Sequence, residues 1–196
     1  MKAVILAGGY GKRFWPKSRK NIPKQCLPIT SKESMILETS KRICKITPEK
    51  NICISTGKHL SKSLKKIVPN LNYIVEPCAR NTAACIGLSA IHHNEEDIIF
   101  IETSDHTYSD VDEYIKQGKL IKQINNVKLY EIEEFREKPS LDVAEEFLKN
   151  GNYLWNSGMF LFKVRVLLEE IEKYMPELYC SLMKIKNFDF DEKVLE

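Results

Sequence analysis

The fold is decided near the start of the chain, by residues 2–19, KAVILAGGYGKRFWPKSR. Lys2 to Leu6 is a short apolar run, rich in β-branched residues, that stops before Gly8 and Gly9. A run of this kind, bounded by glycine, predicts a fully buried strand that ends in a glycine loop. Because glycine has no side chain, the backbone N–H groups of such a loop can approach a phosphate chain closely. The stretch therefore predicts a buried first strand followed by an anion-binding loop.

Strand and helix patterns alternate through the first half of the chain. Further strands are predicted at Ile52 to Ser55, Tyr73 to Val75 and Ile98 to Glu102. The predicted helices are Met35 to Ile46, Leu60 to Val68 and Thr82 to His92. This alternation implies a largely parallel sheet covered on both faces, with ligands bound at the carboxyl ends of its strands. The predicted fold class is α/β.

The second half of the chain loses this regular alternation. Lys128 to Phe135 alternates loosely, Leu141 to Lys149 predicts an amphipathic helix, and Tyr153 to Phe162 carries aromatic residues around an Asn-Ser-Gly turn. Helical spacing begins at Leu167, and a second helical stretch is predicted from Pro176 to Lys184. No repeat or linker separates these parts, so we expect one domain, residues 1–196.

The composition does not by itself argue for a macromolecular partner, and a small anionic ligand would fit it equally well. The chain has 30 basic and 27 acidic residues, and a net charge of +3 is too small to argue for nucleic acid or a membrane. Its six cysteines form no Cys-x-x-Cys pair and are expected to be free thiols of a reducing compartment. No apolar run approaches the roughly 20 residues that span a bilayer. We therefore expect a cytoplasmic protein.

The glycine loop is followed by two basic side chains suited to a nucleoside triphosphate. Its spacing, Gly8-Gly9-x-Gly11, fits neither a Walker loop nor the Rossmann fingerprint. Arg13 can present a planar fork to phosphate oxygens, and Lys24 is a compact charge that could neutralise an oxyanion. A simple tight turn is the alternative interpretation of the glycines alone. Together, the loop and its cations indicate a phosphoryl-transfer pocket.

The extended string is similar to the first motif of the mannose-1-phosphate guanylyltransferases, a group of sugar nucleotidyltransferases. It comprises Gly-Gly-x-Gly-x-Arg, Trp15-Pro16, Ser18-Arg19 and Pro23-Lys24-Gln25. The family's further strings follow in order: Glu76-Pro77 with Arg80-Asn81-Thr82-Ala83, Ser104-Asp105-His106, Phe135-Arg136-Glu137-Lys138-Pro139 and Trp155-Asn156-Ser157-Gly158-Met159-Phe160. The resemblance implies a Rossmann-like nucleotidyltransferase fold, a mixed, mostly parallel sheet flanked by helices. It also implies Mg²⁺-dependent transfer of GMP from GTP to mannose 1-phosphate, giving GDP-mannose and pyrophosphate.

The resemblance also implies roles for individual residues. Arg13, Lys24 and Asp105 would be catalytic, and Asp105, at the carboxyl end of a predicted strand, is a natural Mg²⁺ ligand. The nucleotide would contact Leu6, Gly8, Gly9, Gly11, Glu76, Arg80, Asn81 and Ser104. The sugar phosphate would contact Glu137, Lys138 and Asn156.

Some of these residues also have plain structural interpretations. Asn81 could simply cap the helix that follows it, and Glu137 and Lys138 could be a solvated surface pair. The aromatic residues Trp155, Phe160 and Phe162 are expected in the core rather than at a ligand.

The chain departs from the family's pattern in two places. Only seven residues, Thr107 to Glu113, separate His106 from Tyr114, where relatives have the rest of a helix, a strand and a Gly-Tyr-Gly turn. A strand-helix-strand crossover needs roughly 30 residues, so the difference is larger than a trimmed loop. The chain also stops at Glu196, before a segment that relatives usually have. We therefore expect a domain that is internally shortened near 107–113 and truncated at its carboxyl end. Loss of a sheet strand would leave an open edge that needs a substitute strand or a partner chain.

These departures keep two alternatives open beside guanylyl transfer to mannose 1-phosphate. One is another sugar-1-phosphate nucleotidyltransferase with a different base or sugar, because the glycine loop can hold any triphosphate. The other is a shortened, non-catalytic nucleotide-binding relative. A homodimer is a candidate assembly that the sequence does not decide.

Overall fold

The apolar run at the amino terminus forms the middle strand of a five-stranded sheet. The computed structural model describes residues 1–9, 11–19, 22–78, 81–108, 110–112 and 132–187. Within them the strands are β1 (Lys2–Leu6), β2 (Ile52–Gly57), β3 (Asn72–Glu76), β4 (Ile98–Thr103) and β5 (Phe160–Lys163). The helices are α1 (Met35–Cys44), α2 (Lys58–Ile67), α3 (Thr82–Ile91), α4 (Leu141–Asn150), α5 (Val164–Tyr174) and α6 (Pro176–Asn187).

The sheet has the strand order β3-β2-β1-β4-β5 and is mostly parallel. β1 pairs in parallel with both β2 and β4, and β2 pairs in parallel with β3. β5 runs antiparallel to β4, with Ile101 opposite Phe160. The carboxyl ends of the four parallel strands therefore lie at one edge of the sheet, together with the amino end of β5.

Two apolar clusters form the core, one on each face of the sheet. Successive side chains of a strand point to opposite faces, and β1 divides accordingly: Ala3 and Ile5 join one cluster, while Val4 joins the other. Ile36 of α1 and Leu64 of α2 pack on the first face. The second face is covered by Ile86 of α3, Leu168 of α5 and Leu182 of α6. A sheet buried on both faces explains why its strands are nearly continuous apolar runs.

The predicted strands and helices of the first half are confirmed, with no end shifted by more than two residues. The helix predicted from Leu141 and the two helical stretches around Pro176 are also present. The prediction at Lys128 to Phe135 is only partly testable, because 128–131 lie outside the described residues; 132–135 have no regular structure. In the described part of the chain, no helix combines the length and apolar character that a membrane crossing requires.

Strand β4, which precedes the shortened segment, has a neighbouring strand on each side. β4 pairs with β1 on one side from Ile99 to Thr103 and with β5 on the other from Ile98 to Ile101. Among the described residues, the sheet's edge strands are β3 and β5.

Candidate active site

The sheet topology gathers several of the predicted site residues at the carboxyl edge of the parallel strands. The glycine loop follows β1, Glu76 ends β3, and Ser104 and Asp105 follow β4. The backbone N–H of Ser104 donates to the carbonyl oxygen of Leu6 at 3.1 Å. The loops after β1 and β4 therefore begin side by side, as expected for a ligand site in a parallel sheet.

The glycine loop lies directly against Lys24. Gly11 has φ of +65°, and a Cβ atom added there would lie 2.8 Å from the Cβ of Lys24. A Cβ on Gly9 would lie 3.6 Å from the Lys24 Cε. Glycine at position 11 is therefore required twice, by a left-handed backbone and by the close approach of Lys24.

Gln25 fixes the shape of this loop and was not predicted as a site residue. Its side-chain amide donates to the carbonyl oxygens of Ala7 at 3.2 Å and Gly9 at 2.9 Å, and the side chain is fully buried. The Ser18 hydroxyl donates to the Gly11 carbonyl at 2.5 Å. Because the carbonyl oxygens of Ala7, Gly9 and Gly11 accept these hydrogen bonds, the loop is held in one conformation. The sequence signal is Pro23-Lys24-Gln25, in which Gln25 carries no charge that would mark it as a site residue.

Lys24 and Asp105 form an ion pair across the mouth of the loop. The Lys24 Nζ donates to the Asp105 Oδ2, and their side chains are 21% and 27% exposed. Burial raises the pKa of Asp105, but the hydrogen bond and charge of Lys24 hold that pKa below its ordinary value. Asp105 is therefore an ionised carboxylate with a cation already beside it. Two predicted catalytic residues, 81 positions apart in sequence, are in direct contact.

The Asp105 carboxylate fits a divalent cation shared with a nucleotide. Among the described residues, no group of three or more Asp, Glu, His or Cys side chains is suited to hold a metal. Mg²⁺ does not need such a cage, because it is commonly bound by one or two carboxylates together with substrate phosphates and water. The ammonium group of Lys24 marks the place next to Asp105 where positive charge is favoured.

Glu76 closes the other side of the glycine loop. A Cβ on Gly8 would lie 3.1 Å from the Glu76 Oε1, and the Cys85 thiol donates to that oxygen at 3.4 Å. Burial raises the pKa of Glu76, while the hydrogen bond from Cys85 and the charge of His59 act in the opposite direction. A carboxyl group that ionises less readily repels a neighbouring triphosphate less.

Asn81 and Arg13, which were also predicted to act on the nucleotide, make no side-chain contact with Lys24 or Asp105 among the described residues. Asn81 occupies the N-cap position of α3, as predicted, but its exposed side chain makes no capping hydrogen bond. Arg80 lies outside the described residues. Arg13 lies in a single 3₁₀ turn, Lys12–Phe14, and is exposed. In the described part of the chain, no contact joins it to Lys24 or Asp105.

Of the predicted sugar-phosphate residues, Asn156 reaches the carboxyl edge of the sheet. Its Oδ1 accepts from the Gly158 N–H at 2.9 Å, which forms a tight turn just before β5. A Cβ on Gly158 would lie 3.6 Å from the Thr103 Cγ2, so this turn sits beside the end of β4.

Glu137 and Lys138 are not brought to this edge by any contact among the described residues. They pair with each other at 3.0 Å, and their side chains are 74% and 85% exposed. Their geometry is that of the solvated surface pair, the plainer of the two interpretations of these residues.

The prediction that Trp155 belongs to the core is wrong, because its side chain is 95% exposed. It precedes the Asn156 turn, and β5 begins only at Phe160, so no sheet face lies against the tryptophan. Phe160 and Phe162, which are in β5, do pack partly against the core.

Comparison with known proteins identifies the family and the fold. The nucleotidyl transferase family model matches the chain in two overlapping stretches, residues 2–129 and 120–187. A mannose-1-phosphate guanylyltransferase of Salmonella typhimurium, RfbM, is 33% identical over 218 residues, which cover 92% of this chain and 46% of the relative. The chain thus spans about half the length of the curated relatives it matches.

Two solved structures share the fold. One, from Thermus thermophilus and described as a mannose-1-phosphate geranyltransferase, superposes with a TM-score of 0.86 at 22% identity, covering 99% of this chain and 66% of its own. A Helicobacter pylori protein described as mannose-6-phosphate isomerase superposes with a TM-score of 0.75 at 24% identity, covering 94% of this chain and 79% of its own. At these identities the structures support the fold alone. With the family model matching nearly the whole length from residue 2 to residue 187, the chain belongs to the nucleotidyl transferase family.

Proposed function

We propose that the protein transfers GMP from GTP to mannose 1-phosphate, giving GDP-mannose and pyrophosphate. The observation that carries this proposal is the meeting of Lys24 and Asp105 at the mouth of the glycine loop. A fixed cation and an ionised carboxylate beside backbone N–H groups are the parts that nucleotidyl transfer needs. The curated relatives named as mannose-1-phosphate guanylyltransferases, at about 30% identity over nine-tenths of the chain, support the choice of substrates.

The reaction is an in-line displacement at the α-phosphorus of GTP. A phosphate oxygen of mannose 1-phosphate forms the new P–O bond while the bond to the bridging oxygen of pyrophosphate breaks. The attacking oxygen is already deprotonated at neutral pH, so the reaction needs no general base and no covalent enzyme intermediate. Catalysis then consists of alignment and of charge neutralisation at the transferred phosphoryl group.

The residues of this chain supply both effects. The glycine loop, held by Gln25, presents backbone N–H groups to the triphosphate. Lys24 turns from Asp105 to the α-phosphate region and offsets the charge that develops there. Asp105 would hold Mg²⁺, which when bound supplies further neutralisation of the nucleotide phosphates. Arg13 provides an additional cation on the exposed side of the loop.

Selection of the substrates is assigned to the residues around this centre. Leu6, Glu76, Arg80, Asn81 and Ser104 would contact the nucleotide. Asn156 would contact the sugar, from the turn that lies next to Thr103. Glu137 and Lys138 would have to move toward the site to meet the sugar phosphate. We further propose a cytoplasmic enzyme, for which a homodimer is the candidate assembly.

The proposal is tested by replacing Lys24→Ala and following pyrophosphate release from GTP with mannose 1-phosphate. The turnover number should fall by at least about 100-fold, because removal of one fixed charge-stabilising group typically costs that much. Lys41→Ala is the matched control, since Lys41 forms an exposed ion pair with Glu33 on the surface. Its turnover should stay within about twofold of the unchanged chain. Near-normal pyrophosphate release by the Lys24→Ala variant would show that the assignment is wrong.

The base preference is tested separately by comparing the binding of GTP, UTP, dTTP and ATP. Tightest binding of GTP agrees with guanylyl transfer. Tighter binding of any of the others would assign the chain to another sugar-1-phosphate nucleotidyltransferase.

A second candidate function is nucleotide binding without turnover. It is favoured by the exposed positions of Glu137 and Lys138, which leave the sugar-phosphate side of the site open while the nucleotide side is assembled. Turnover by the 196-residue chain, measured by the same pyrophosphate assay, would eliminate this candidate.

A further inference from the structure

Helix α1 presents two buried polar side chains to the loop that carries Asp105. Thr39 and Arg42 are three residues apart, so they lie on the same face of the helix. Thr39 is fully buried, and Arg42 is 5% exposed. Neither residue belongs to the motifs that identify the family in the sequence. Buried polar groups of this kind are costly unless they make specific contacts.

Their contacts fall on both sides of Asp105. The Thr39 hydroxyl donates to the carbonyl oxygen of Ser104 at 3.5 Å, and the Arg42 Nη2 donates to the carbonyl oxygen of His106 at 3.4 Å. Arg42 Nη2 also donates to the Thr39 hydroxyl oxygen at 3.1 Å, which couples the two. The backbone immediately before and immediately after Asp105 is thus attached to one helix.

The guanidinium of Arg42 is itself held in place from two directions. It is paired with the Glu102 carboxylate, which is fully buried in β4. The ring of Tyr108 lies over the guanidinium, with its centroid 4.5 Å from Cζ. The Tyr108 hydroxyl donates to the Met159 Sδ at 3.0 Å, in the turn before β5. The contact with the Tyr108 ring and the pairing with a buried carboxylate together fix the orientation of Arg42.

The sheet itself fixes β4 up to Thr103. β4 pairs with β1 from Ile99 to Thr103 and with β5 from Ile98 to Ile101, so its pairing ends at Thr103. Beyond Thr103, the Asp105 loop has a single backbone bond to the sheet among the described residues, from Ser104 to Leu6. The contacts of Thr39 and Arg42 therefore fall where the strand no longer fixes the chain.

We infer that Thr39 and Arg42 are positioning residues that orient the Asp105 carboxylate for a divalent cation. They act through Asp105 and do not touch substrate. Side chains that orient a metal ligand typically change metal affinity by about 10- to 100-fold when they are removed. The inference rests on the proposed function, because it takes Asp105 to be the ligand of the cation that accompanies the nucleotide.

The test measures Mn²⁺ binding in the presence of GTP by electron paramagnetic resonance, using the full chain. Thr39→Val keeps the shape of the side chain and removes its hydroxyl. We expect the affinity for Mn²⁺ to fall about 10-fold, while binding of GTP in EDTA stays within twofold. Thr47→Val is the matched control: Thr47 is also buried, and its hydroxyl donates to the Met1 carbonyl at 3.1 Å, at the opposite edge of the sheet. Equal Mn²⁺ affinities of the two variants would overturn the inference.

Arg42 is tested with both charges removed, as Arg42→Met with Glu102→Leu. The single replacement would leave a buried carboxylate unpaired and could unfold the chain, whereas the double replacement leaves no stranded charge. A cooperative thermal transition shows that the variant is folded. We expect weaker Mn²⁺ binding with unchanged metal-free GTP binding, and unchanged Mn²⁺ affinity would contradict the role of Arg42.

This result is independent of turnover. If the chain without substitutions binds Mn²⁺ in the presence of GTP but releases no pyrophosphate, the proposed function is wrong, whereas the positioning role of Thr39 and Arg42 still holds. If the chain without substitutions binds no Mn²⁺ in the presence of GTP, the positioning role is wrong.

Discussion

Gly11 determines both the backbone conformation of the glycine loop and the space available to Lys24. Its left-handed φ of +65° is accessible to glycine at little cost, and its missing side chain leaves the space that Lys24 occupies. A side chain at this position would act twice, by straining the loop and by displacing the cation that faces Asp105. These two effects can be separated by experiment, because the chain contains a second glycine with the same kind of backbone and open surroundings.

We expect Gly11→Ala to weaken GTP binding by at least about 10-fold, because its Cβ would lie 2.8 Å from that of Lys24. Gly151→Ala is the control: Gly151 has φ of +76°, and a Cβ there would meet nothing within 4 Å. Both variants should lose about 1 kcal/mol of unfolding free energy to backbone strain, but only Gly11→Ala should lose affinity. Isothermal titration with GTP and chemical denaturation measure the two quantities. Equal GTP affinities would show that Lys24 does not depend on Gly11.

Individual site residues could be predicted from the sequence where they follow a strand directly. Asp105 and the loop glycines are of this kind, because the end of a buried apolar run fixes their place in the sheet. The pairing of Lys24 with Asp105 could not be predicted, since the three-dimensional course of the 80 intervening residues decides it. Arg42 was missed for a related reason: an arginine in an amphipathic helix is ordinarily solvated, and only the packing of α1 on the sheet buries it.

At the scale of the elements, the contact between α3 and α6 depends on a glycine. A Cβ on Gly87 of α3 would lie 2.6 Å from the Leu182 Cδ1 of α6 and 3.3 Å from the Ile171 Cδ1 of α5. Glycine inside a helix costs about 1 kcal/mol relative to alanine. The close approach of three helices on the second face of the sheet offsets that cost.

We expect Gly87→Ala to lower the unfolding free energy by about 1 kcal/mol, because overpacking a buried contact costs roughly 1–3 kcal/mol and exceeds the gain in helix propensity. In the background of Leu182→Val, which removes the clashing Cδ atoms, the same substitution should become stabilising. Urea denaturation of the four proteins in this cycle measures both values. The same sign in both backgrounds would contradict the packing explanation.

The elements of the first half were predicted more completely than those of the second half. Buried parallel strands are continuous apolar runs, and their period and glycine boundaries are visible in the sequence. Around the Asn156 turn, the same aromatic composition leads to opposite outcomes: Phe160 joins the sheet, whereas Trp155 is exposed. The residue at which a strand begins cannot be predicted from composition alone.

At the scale of the whole molecule, residues 132–159, which directly precede β5, are much less buried than the other described residues. Helix α4 is amphipathic yet buries none of its side chains, and Leu141 and Leu148 are largely exposed. The alignment with the Salmonella relative runs over 218 positions, whereas 92% of this 196-residue chain is about 180 residues. Within the aligned part, that relative therefore has a few tens of residues without a counterpart here. We propose that they form a unit between His106 and Tyr114 that covers this surface.

We expect a chimera that carries the relative's additional residues between His106 and Tyr114 to release pyrophosphate about 100-fold faster than the present chain, because misplacement of substrate groups by about 1 Å has that cost. Nucleotide binding should be nearly the same in both proteins, since the glycine loop, Lys24 and Asp105 are unchanged. Comparison of kcat and of metal-free GTP affinity separates the two effects. Equal turnover would mean that the shorter chain has a complete site.

The ion pair between Lys24 and Asp105 has a consequence for the order in which ligands arrive. While the pair is closed, a divalent cation must compete with an ammonium group for the carboxylate, and a nucleotide must draw that ammonium group away from it. Each ligand therefore removes a cost that the other would otherwise meet, and linkage requires this assistance to be equal in both directions. Positive cooperativity between metal and nucleotide thus follows from a single contact, without movement of the sheet or of the helices.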